Sequence, residues 1–174
     1  LLSLGVMGSL VTTSVYATTE KLKQVVTADQ QAYLSTLKDL VNIESGSKDL
    51  AGVNQIAKLV AERLKNTGAE VSIIETKDIY RMDDTPAQTG PVVKAVLTGQ
   101  GKSKIMLIAH MDTVYQKGML KDQPFRVEGN KAYGLGIVDD KQCVAAIIHV
   151  LETLKKINFQ DYGTITVLMN SDEE

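Results

Sequence analysis

The segment SKIMLIAHMDTVY, residues 103–115, joins an apolar stretch to two polar side chains that are able to do chemistry. The segment at 103–110 is short and rich in apolar side chains, which is typical of a buried β-strand. His110 and Asp112 stand where this strand ends. Ligand sites in α/β sheets gather beyond the carboxyl ends of the strands. The segment therefore predicts a sheet and the edge of that sheet at which a site would lie.

Three further strands are predicted on either side of this segment. Their sequences are short and rich in valine and isoleucine, at residues 70–76, 91–99 and 163–170. The glycine-containing turn GQGK, residues 99–102, separates the strand at 91–99 from the strand at 103–110. A turn of this kind predicts a hairpin between those two strands.

Helical spacing of apolar residues predicts helices over residues 29–43, 50–66 and 140–157. Gly68 ends the second of them. Helices that alternate with buried strands indicate an α/β fold, which we expect to be a mixed twisted sheet flanked by helices.

Composition places the chain among globular proteins. It has 174 residues, of which 44% are hydrophobic and 23% charged, enough for one domain with a sizeable core. The formal net charge of −2 gives no electrostatic reason to bind nucleic acid or an anionic membrane surface. Cys143 is the single cysteine, so an internal disulfide is excluded.

The first 17 residues, LLSLGVMGSLVTTSVYA, are apolar and carry no charge. Val15 and Ala17 occupy the −3 and −1 positions of a plausible signal-peptidase site before Thr18. The stretch is short for a membrane-spanning helix, and a buried N-terminal helix is the alternative. We expect residues 1–17 to be the remnant of a signal peptide. The protein would then be exported, periplasmic or secreted, with no stable membrane insertion.

Two more acidic clusters fall at the ends of predicted elements. Asp139 and Asp140 open the helix at 140–157, and Glu173 and Glu174 follow the strand at 163–170. Taken singly, such clusters are commonly solvated turns or helix N-caps. Together with His110 they make a set of one imidazole and several carboxylates, which suits Zn²⁺ or a pair of zinc ions. Their shared location favours a metal centre.

These clusters lie within three longer segments: HMDTVYQKGML (110–120), PFRVEGNKAYGLGIVDDK (124–141) and DYGTITVLMNSDEE (161–174). In this order they resemble the zinc-dependent exopeptidase and deacylase family that includes glutamate carboxypeptidases, aminoacylases and succinyl-diaminopimelate desuccinylase. The resemblance runs from about Asp29 to Glu174, and it is greatest to the folate-cleaving glutamate carboxypeptidases.

The resemblance implies three metal ligands. His110 would bind one zinc ion, Glu174 the other, and Asp139 would bridge the two. The peptide bond between Asp139 and Asp140 would be cis, since relatives hold it so.

The resemblance also implies two catalytic side chains. Asp112 would orient the His110 ring, as carboxylates commonly do for metal-bound imidazoles. Glu173 would be the general base that accepts a proton from the attacking water. Gln142 departs from the family, in which glycine usually follows the D-D-K motif, but it replaces no ligand. Cys143 is expected to be a small core residue and His149 to be structural.

The function implied is that of a di-zinc carboxypeptidase, which would cleave the amide bond next to a C-terminal amino acid, with glutamate as the expected residue. Its substrate would be a small peptide. An N-acyl amino acid deacylase, acting on an N-acyl amino acid with the same metal chemistry, is the first alternative. A non-catalytic exported binding module is the second, although the intact set of acids argues against it.

We also expect the chain to be part of a longer protein, because it begins with Leu1 and because Asp172–Glu174 follow a strand without a closing element. Residues 18–174 would then be the N-terminal part of an incomplete zinc-exopeptidase catalytic domain. In relatives a further acidic residue and a second histidine complete the site. The chain alone is therefore expected to be inactive and to hold zinc poorly, and the full-length protein to be a homodimer.

Overall fold

The computed structural model describes residues 7–83 and 85–174, and the side chains from residue 19 onward. The chain forms two units, which divide between Ala32 and Tyr33. Helix α1 (Met7–Val41) includes the described residues of the first unit and the start of the second. Residues 1–6 of the predicted signal segment lie outside the described residues. Among the described helices, none combines the length and the hydropathy that a membrane crossing requires.

The second unit is built on a four-stranded sheet with helices packed against it. Its longer helices are α2 (Leu50–Asn66) and α3 (Gln142–Lys156). The strands are β1 (Glu70–Ile74), β2 (Val92–Thr98), β3 (Lys104–His110) and β6 (Thr164–Asn170), and the short pair β4 (Arg126–Glu128) and β5 (Lys131–Tyr133) forms a separate ribbon. The sheet order is β1-β2-β6-β3, in which only β3 and β6 are parallel. The predicted mixed α/β sheet is confirmed.

Helix α2 shows why the sequence pattern predicted it well. Val53, Ile56, Val60 and Leu64 are fully buried at three- and four-residue spacing, which aligns them on one helical face. At its start the Asp49 side chain accepts a hydrogen bond from the backbone N–H of Gly52. The apolar spacing and the N-terminal cap are both visible in the local sequence, and the predicted bounds match the observed ones.

The core lies between the helices and one face of the sheet. Alternate residues of β2 and β6 point into it, so that Val93 is paired with Met169 and Ala95 with Val167. All four side chains are fully buried. This alternation confirms the period of two expected of strands with one covered face.

The predicted hairpin between β2 and β3 is wrong, because β6 lies between them. The glycine turn instead bonds the segment that leads into β6: the Gly99 N–H donates to Gly163 O at 3.0 Å and the Gly101 N–H to Tyr162 O at 2.9 Å. A side chain at Gly99 would place Cβ only 2.2 Å from Tyr162 O. The glycines therefore serve close backbone approach and not a two-strand turn.

Residues 111–138, between the predicted strand at 103–110 and the predicted helix at 140–157, contain short elements that the sequence pattern did not predict. A single turn of 3₁₀ helix covers Met119–Lys121, and the β4–β5 ribbon follows it. Strands of three residues are too short to show a period of two, so the pattern could not reveal them. Helix α1 likewise begins well before the predicted start at residue 29.

Candidate metal centre

The parallel pairing of β3 and β6 brings the predicted site residues together. His110 at the end of β3 is in register with Asn170 at the end of β6, and the N–H of Met111 donates to Asn170 O at 2.8 Å. The chain therefore leaves both strands at the same sheet edge. Asp112 follows the first strand and Glu173 the second, which places residues 61 positions apart in contact.

Asp112 is fully buried and ties the two strand ends to each other. Its Oδ2 atom accepts hydrogen bonds from the backbone N–H of Glu173 at 2.9 Å and of Glu174 at 3.0 Å. The Ser47 hydroxyl donates to the same oxygen at 2.9 Å. Hydrogen bonds to a carboxylate are stronger than those between neutral groups, so Asp112 holds the acidic turn formed by Glu173 and Glu174 in place.

His110 is 7% exposed, and its two ring nitrogens face different groups. Nδ1 lies 3.3 Å from Asp112 Oδ1, and both atoms are buried with no hydrogen-bond partner among the described residues. Leaving two buried polar atoms unpaired is costly, and a proton on Nδ1 relieves both. The opposite nitrogen, Nε2, hydrogen-bonds Asp139, and it can bind a cation when it gives up that bond and its proton.

Asp139 approaches Nε2 of His110 from a third element. It lies in the turn Ile137–Lys141, and its Oδ1 is 3.0 Å from His110 Nε2. The peptide bond between Asp139 and Asp140 is cis, as expected. Asp140 turns the other way, and its carboxylate accepts a 3.4 Å hydrogen bond from the His110 backbone N–H.

The two glutamates complete the cluster. Single ligand atoms of His110, Glu173 and Glu174 all lie within 4.8 Å of one another. Glu173 Oε2 is 3.9 Å from His110 Nε2. Zinc bonds to nitrogen and carboxylate oxygen are about 2.0–2.2 Å long, so separations of this order leave room for zinc between these side chains. The structure thus places Glu173, expected as the base, as close to the imidazole as a ligand would be.

The charges of the cluster favour a bound cation. Burial lowers the pKa of His110, but the hydrogen bond to Asp139 and the charges of Asp112, Asp140 and Glu173 outweigh it, and the net pKa is raised. The pKa of Glu174 is raised, first by burial and then by the negative charge of Asp139. Crowded acids of this kind repel one another, and a divalent ion would neutralise them. The residues present therefore fit a zinc site.

Three residues around the centre departed from, or were missing from, the sequence predictions. Cys143, expected in the core, is exposed, and its hydrogen bond to Asp140 contributes most to raising its thiol pKa to about 11. Lys141 is fully buried and donates to Ile43 O at 2.7 Å, which no local pattern indicated. Ser47 lies between the predicted helices at 29–43 and 50–66, and no sequence pattern singled it out. His149, expected to be structural, is buried and bonds Thr36 through Nε2 at 2.9 Å.

The comparison with known proteins bears directly on this arrangement. Residues 106–174, which include His110, Asp139 and the glutamate pair, match the family described as peptidase family M20/M25/M40. The chain carries a peptidase family M20 domain. The family expected from the three sequence segments is confirmed.

Curated relatives of this M20 domain include enzymes of several kinds. Carboxypeptidase G2 of Pseudomonas sp. (strain RS-16) is 44% identical over 153 residues, covering 88% of this chain and 35% of that protein. Succinyl-diaminopimelate desuccinylase of Rickettsia canadensis (strain McKiel) is 28% identical over 147 residues, covering 82% of this chain and 36% of that protein. The chain thus spans about a third of the length of these relatives.

Solved structures share the fold of the M20 domain. Human carnosine dipeptidase 1 superimposes with a TM-score of 0.72 at 23% identity, covering 88% of this chain and 34% of that one. The M20 family metallo-carboxypeptidase Sso-CP2 from Sulfolobus solfataricus gives a TM-score of 0.66 at 19% identity, covering 81% and 31%. The α/β architecture is therefore that of M20 peptidases.

Proposed function

We propose that this chain supplies the metal-binding part of a di-zinc hydrolase of the carboxypeptidase type. The observation that carries the proposal is the convergence of one imidazole and three carboxylates, from His110, Asp139, Glu173 and Glu174, at the edge where β3 and β6 end. No packing or capping role requires these ionisable side chains to meet at one point.

His110 and Glu174 would hold separate zinc ions, with the carboxylate of Asp139 between them. When bound, zinc lowers the pKa of a coordinated water and polarises the carbonyl to be attacked. Asp112 keeps the proton on His110 Nδ1, so that Nε2 presents its lone pair to the site. The same carboxylate positions the backbone of Glu173 and Glu174.

Glu173 would act as general base. Its side chain is 58% exposed, so substrate and water can reach it, while its backbone is held by Asp112. From this position Glu173 accepts a proton from the attacking water and returns it to the departing amine, which balances the hydrolysis of an amide.

A small peptide with a C-terminal glutamate is the proposed substrate. The name of the 44% identical relative, carboxypeptidase G2, supports the carboxypeptidase reaction. N-acyl amino acid deacylation is the second candidate, and relatives named succinyl-diaminopimelate desuccinylase and acetylornithine deacetylase support it. For the whole protein we further propose export, and a homodimer that light scattering would detect.

A chimera tests the proposal, because the chain covers only a third of carboxypeptidase G2. Residues 29–174 would replace the matching segment of that enzyme, and bound zinc would be measured together with hydrolysis of glutamyl peptides and N-acyl amino acids. Two zinc ions and glutamate release are expected. Preference for N-acyl amino acids would support deacylation instead, and a folded chimera without bound metal would contradict both.

A further inference from the structure

The segment at 43–47 contacts two separate parts of the chain around the candidate metal centre. The carbonyl oxygen of its first residue, Ile43, accepts a hydrogen bond from the buried Lys141 ammonium. The Glu44 carboxylate accepts hydrogen bonds from the backbone N–H groups of Gly118 and Leu120, each at 2.8 Å. These bonds connect the segment to the turn that carries Asp139 and to the loop that follows β3.

The last residues of the segment run alongside the chain that leaves β3. The Thr113 N–H donates to Ser45 O at 2.9 Å, and the Ser47 N–H donates to Thr113 O at 3.2 Å, with Gly46 forming the bridge between them. A Cβ atom on Gly46 would lie 2.4 Å from Tyr115 O, so only glycine permits this approach. The backbone pairing therefore sets the position of Ser47.

From that position the Ser47 hydroxyl reaches Asp112 Oδ2 at 2.9 Å. The other two donors to this oxygen are the backbone N–H groups of Glu173 and Glu174. Ser47 is thus the one side-chain donor to Oδ2 among the described residues. Three donors on one oxygen define the plane of the carboxylate, and the plane decides where the second oxygen, which faces His110 Nδ1, is directed.

We propose that Ser47 is a positioning residue, which acts through Asp112 to keep Nε2 of His110 directed at the acidic cluster. The inference rests on the proposed metal function, but it concerns a residue to which nothing in that function assigns a role. Removing the hydroxyl leaves two donors on Oδ2 and allows the carboxylate to rotate away from Nδ1. Partners that orient metal ligands typically change metal affinity 10–100-fold when removed.

The test compares Ser47→Ala with Ser47→Thr, which retains a hydroxyl, and with Ser45→Ala as a matched control. Ser45 belongs to the same segment, and its hydroxyl donates to Met111 O at 2.8 Å without contacting Asp112. Two quantities are measured at one pH: the ¹⁵N shifts of the His110 ring in the metal-free chain, and the affinity of the chimera with carboxypeptidase G2 for Co²⁺, from its visible absorption. The sequence has two histidines, so His149 serves as the internal reference.

Ser47→Ala is expected to shift the His110 Nδ1 signal away from its position in the unaltered chain and to weaken Co²⁺ binding about tenfold, the low end of the range for such partners. Ser47→Thr should keep the ring signal and the Co²⁺ affinity of the unaltered protein. Ser45→Ala should lower thermal stability and change neither of these two quantities. Unchanged ring signals in Ser47→Ala would overturn the proposal, and so would an equal change in Ser45→Ala. If the unaltered chimera binds no Co²⁺, the metal function fails, while the ring signals of the chain still decide the role of Ser47.

Discussion

The carboxylate of Asp112, at the end of the first strand of the site, accepts a 2.9 Å hydrogen bond from the backbone of Glu173, which lies beyond the other strand. The imidazole and the acidic turn therefore share one buried anchor. Any change at this anchor should affect metal ligation and local stability together, whereas a change at an exposed acid far from the centre should affect neither.

Asp112→Asn tests that anchor. Asparagine retains the shape, but it removes the negative charge that faces His110 Nδ1 and turns one acceptor into a donor. We expect zinc affinity to fall about 10–100-fold and the melting temperature to decrease. Chelator competition and thermal denaturation measure the two effects. Asp122→Asn, at an exposed position, is the control, and equal behaviour of the two variants would contradict the assigned role.

Glu173→Gln tests whether Glu173 is a general base or a metal ligand. An amide cannot accept the proton of the attacking water, so in the chimera kcat should fall by about 10²–10⁴ while zinc content is retained. Steady-state kinetics and metal analysis measure both. The exposed Glu128→Gln serves as control. Loss of a zinc ion in Glu173→Gln would instead make Glu173 a ligand, as its 3.9 Å distance to His110 Nε2 permits.

The chain alone should hold zinc poorly and lack peptidase activity. Three predicted ligands, His110, Asp139 and Glu174, are shared between two ions, while a catalytic zinc ion normally takes about three protein ligands. Residues 18–174 and carboxypeptidase G2 would be compared for zinc retained after dialysis and for glutamyl-peptide hydrolysis. Two tightly bound ions with turnover in the chain would show that further ligands lie within it.

Lys141 should make stability depend on pH. Burial lowers its pKa from 10.5 to about 8, so between these values the unfolded chain binds more protons than the folded one. The cost of burying the charge is complete below about pH 8 and disappears as the pH rises towards 10.5, which means that the contribution of Lys141 to stability increases with pH. The gain is on the order of 2 kcal/mol between pH 7.5 and 10.

Urea unfolding of the metal-free chain at those two pH values measures this gain. Lys141→Met should lose the increase, because methionine has no proton to release, and the exposed Lys131→Met should keep it. An identical pH dependence in the chain and in Lys141→Met would show that the buried ammonium does not carry the effect.

Export should remove residues 1–17. The uncharged segment ends in Val15-Tyr16-Ala17, the small-residue pattern of a signal-peptidase site. Helix α1 passes through this position without a break, so the boundary depends on the sequence pattern alone. N-terminal sequencing of protein from an exporting host should start at Thr18. Mature protein that still carries Leu1 would refute the proposal.

Local sequence determined the individual elements and the residue types of the site. The buried face of α2 repeats every three to four residues and that of β6 every two, so each element could be predicted without knowledge of its neighbours. The acids and the imidazole could be found in the same way, because they directly follow predicted strands or open a predicted helix.

Only the tertiary structure decided which elements are neighbours. The β2–β3 turn predicted a hairpin, yet β6 lies between these strands. It forms hydrogen-bonded pairs with β2 on one side and with β3 on the other, and both strands are far from it in sequence. Ser47 and Asp112 likewise meet across 65 residues. A periodic pattern records how deeply a side chain is buried, but a hydrogen bond also needs a partner in three dimensions, and that partner is set by how the whole sheet packs.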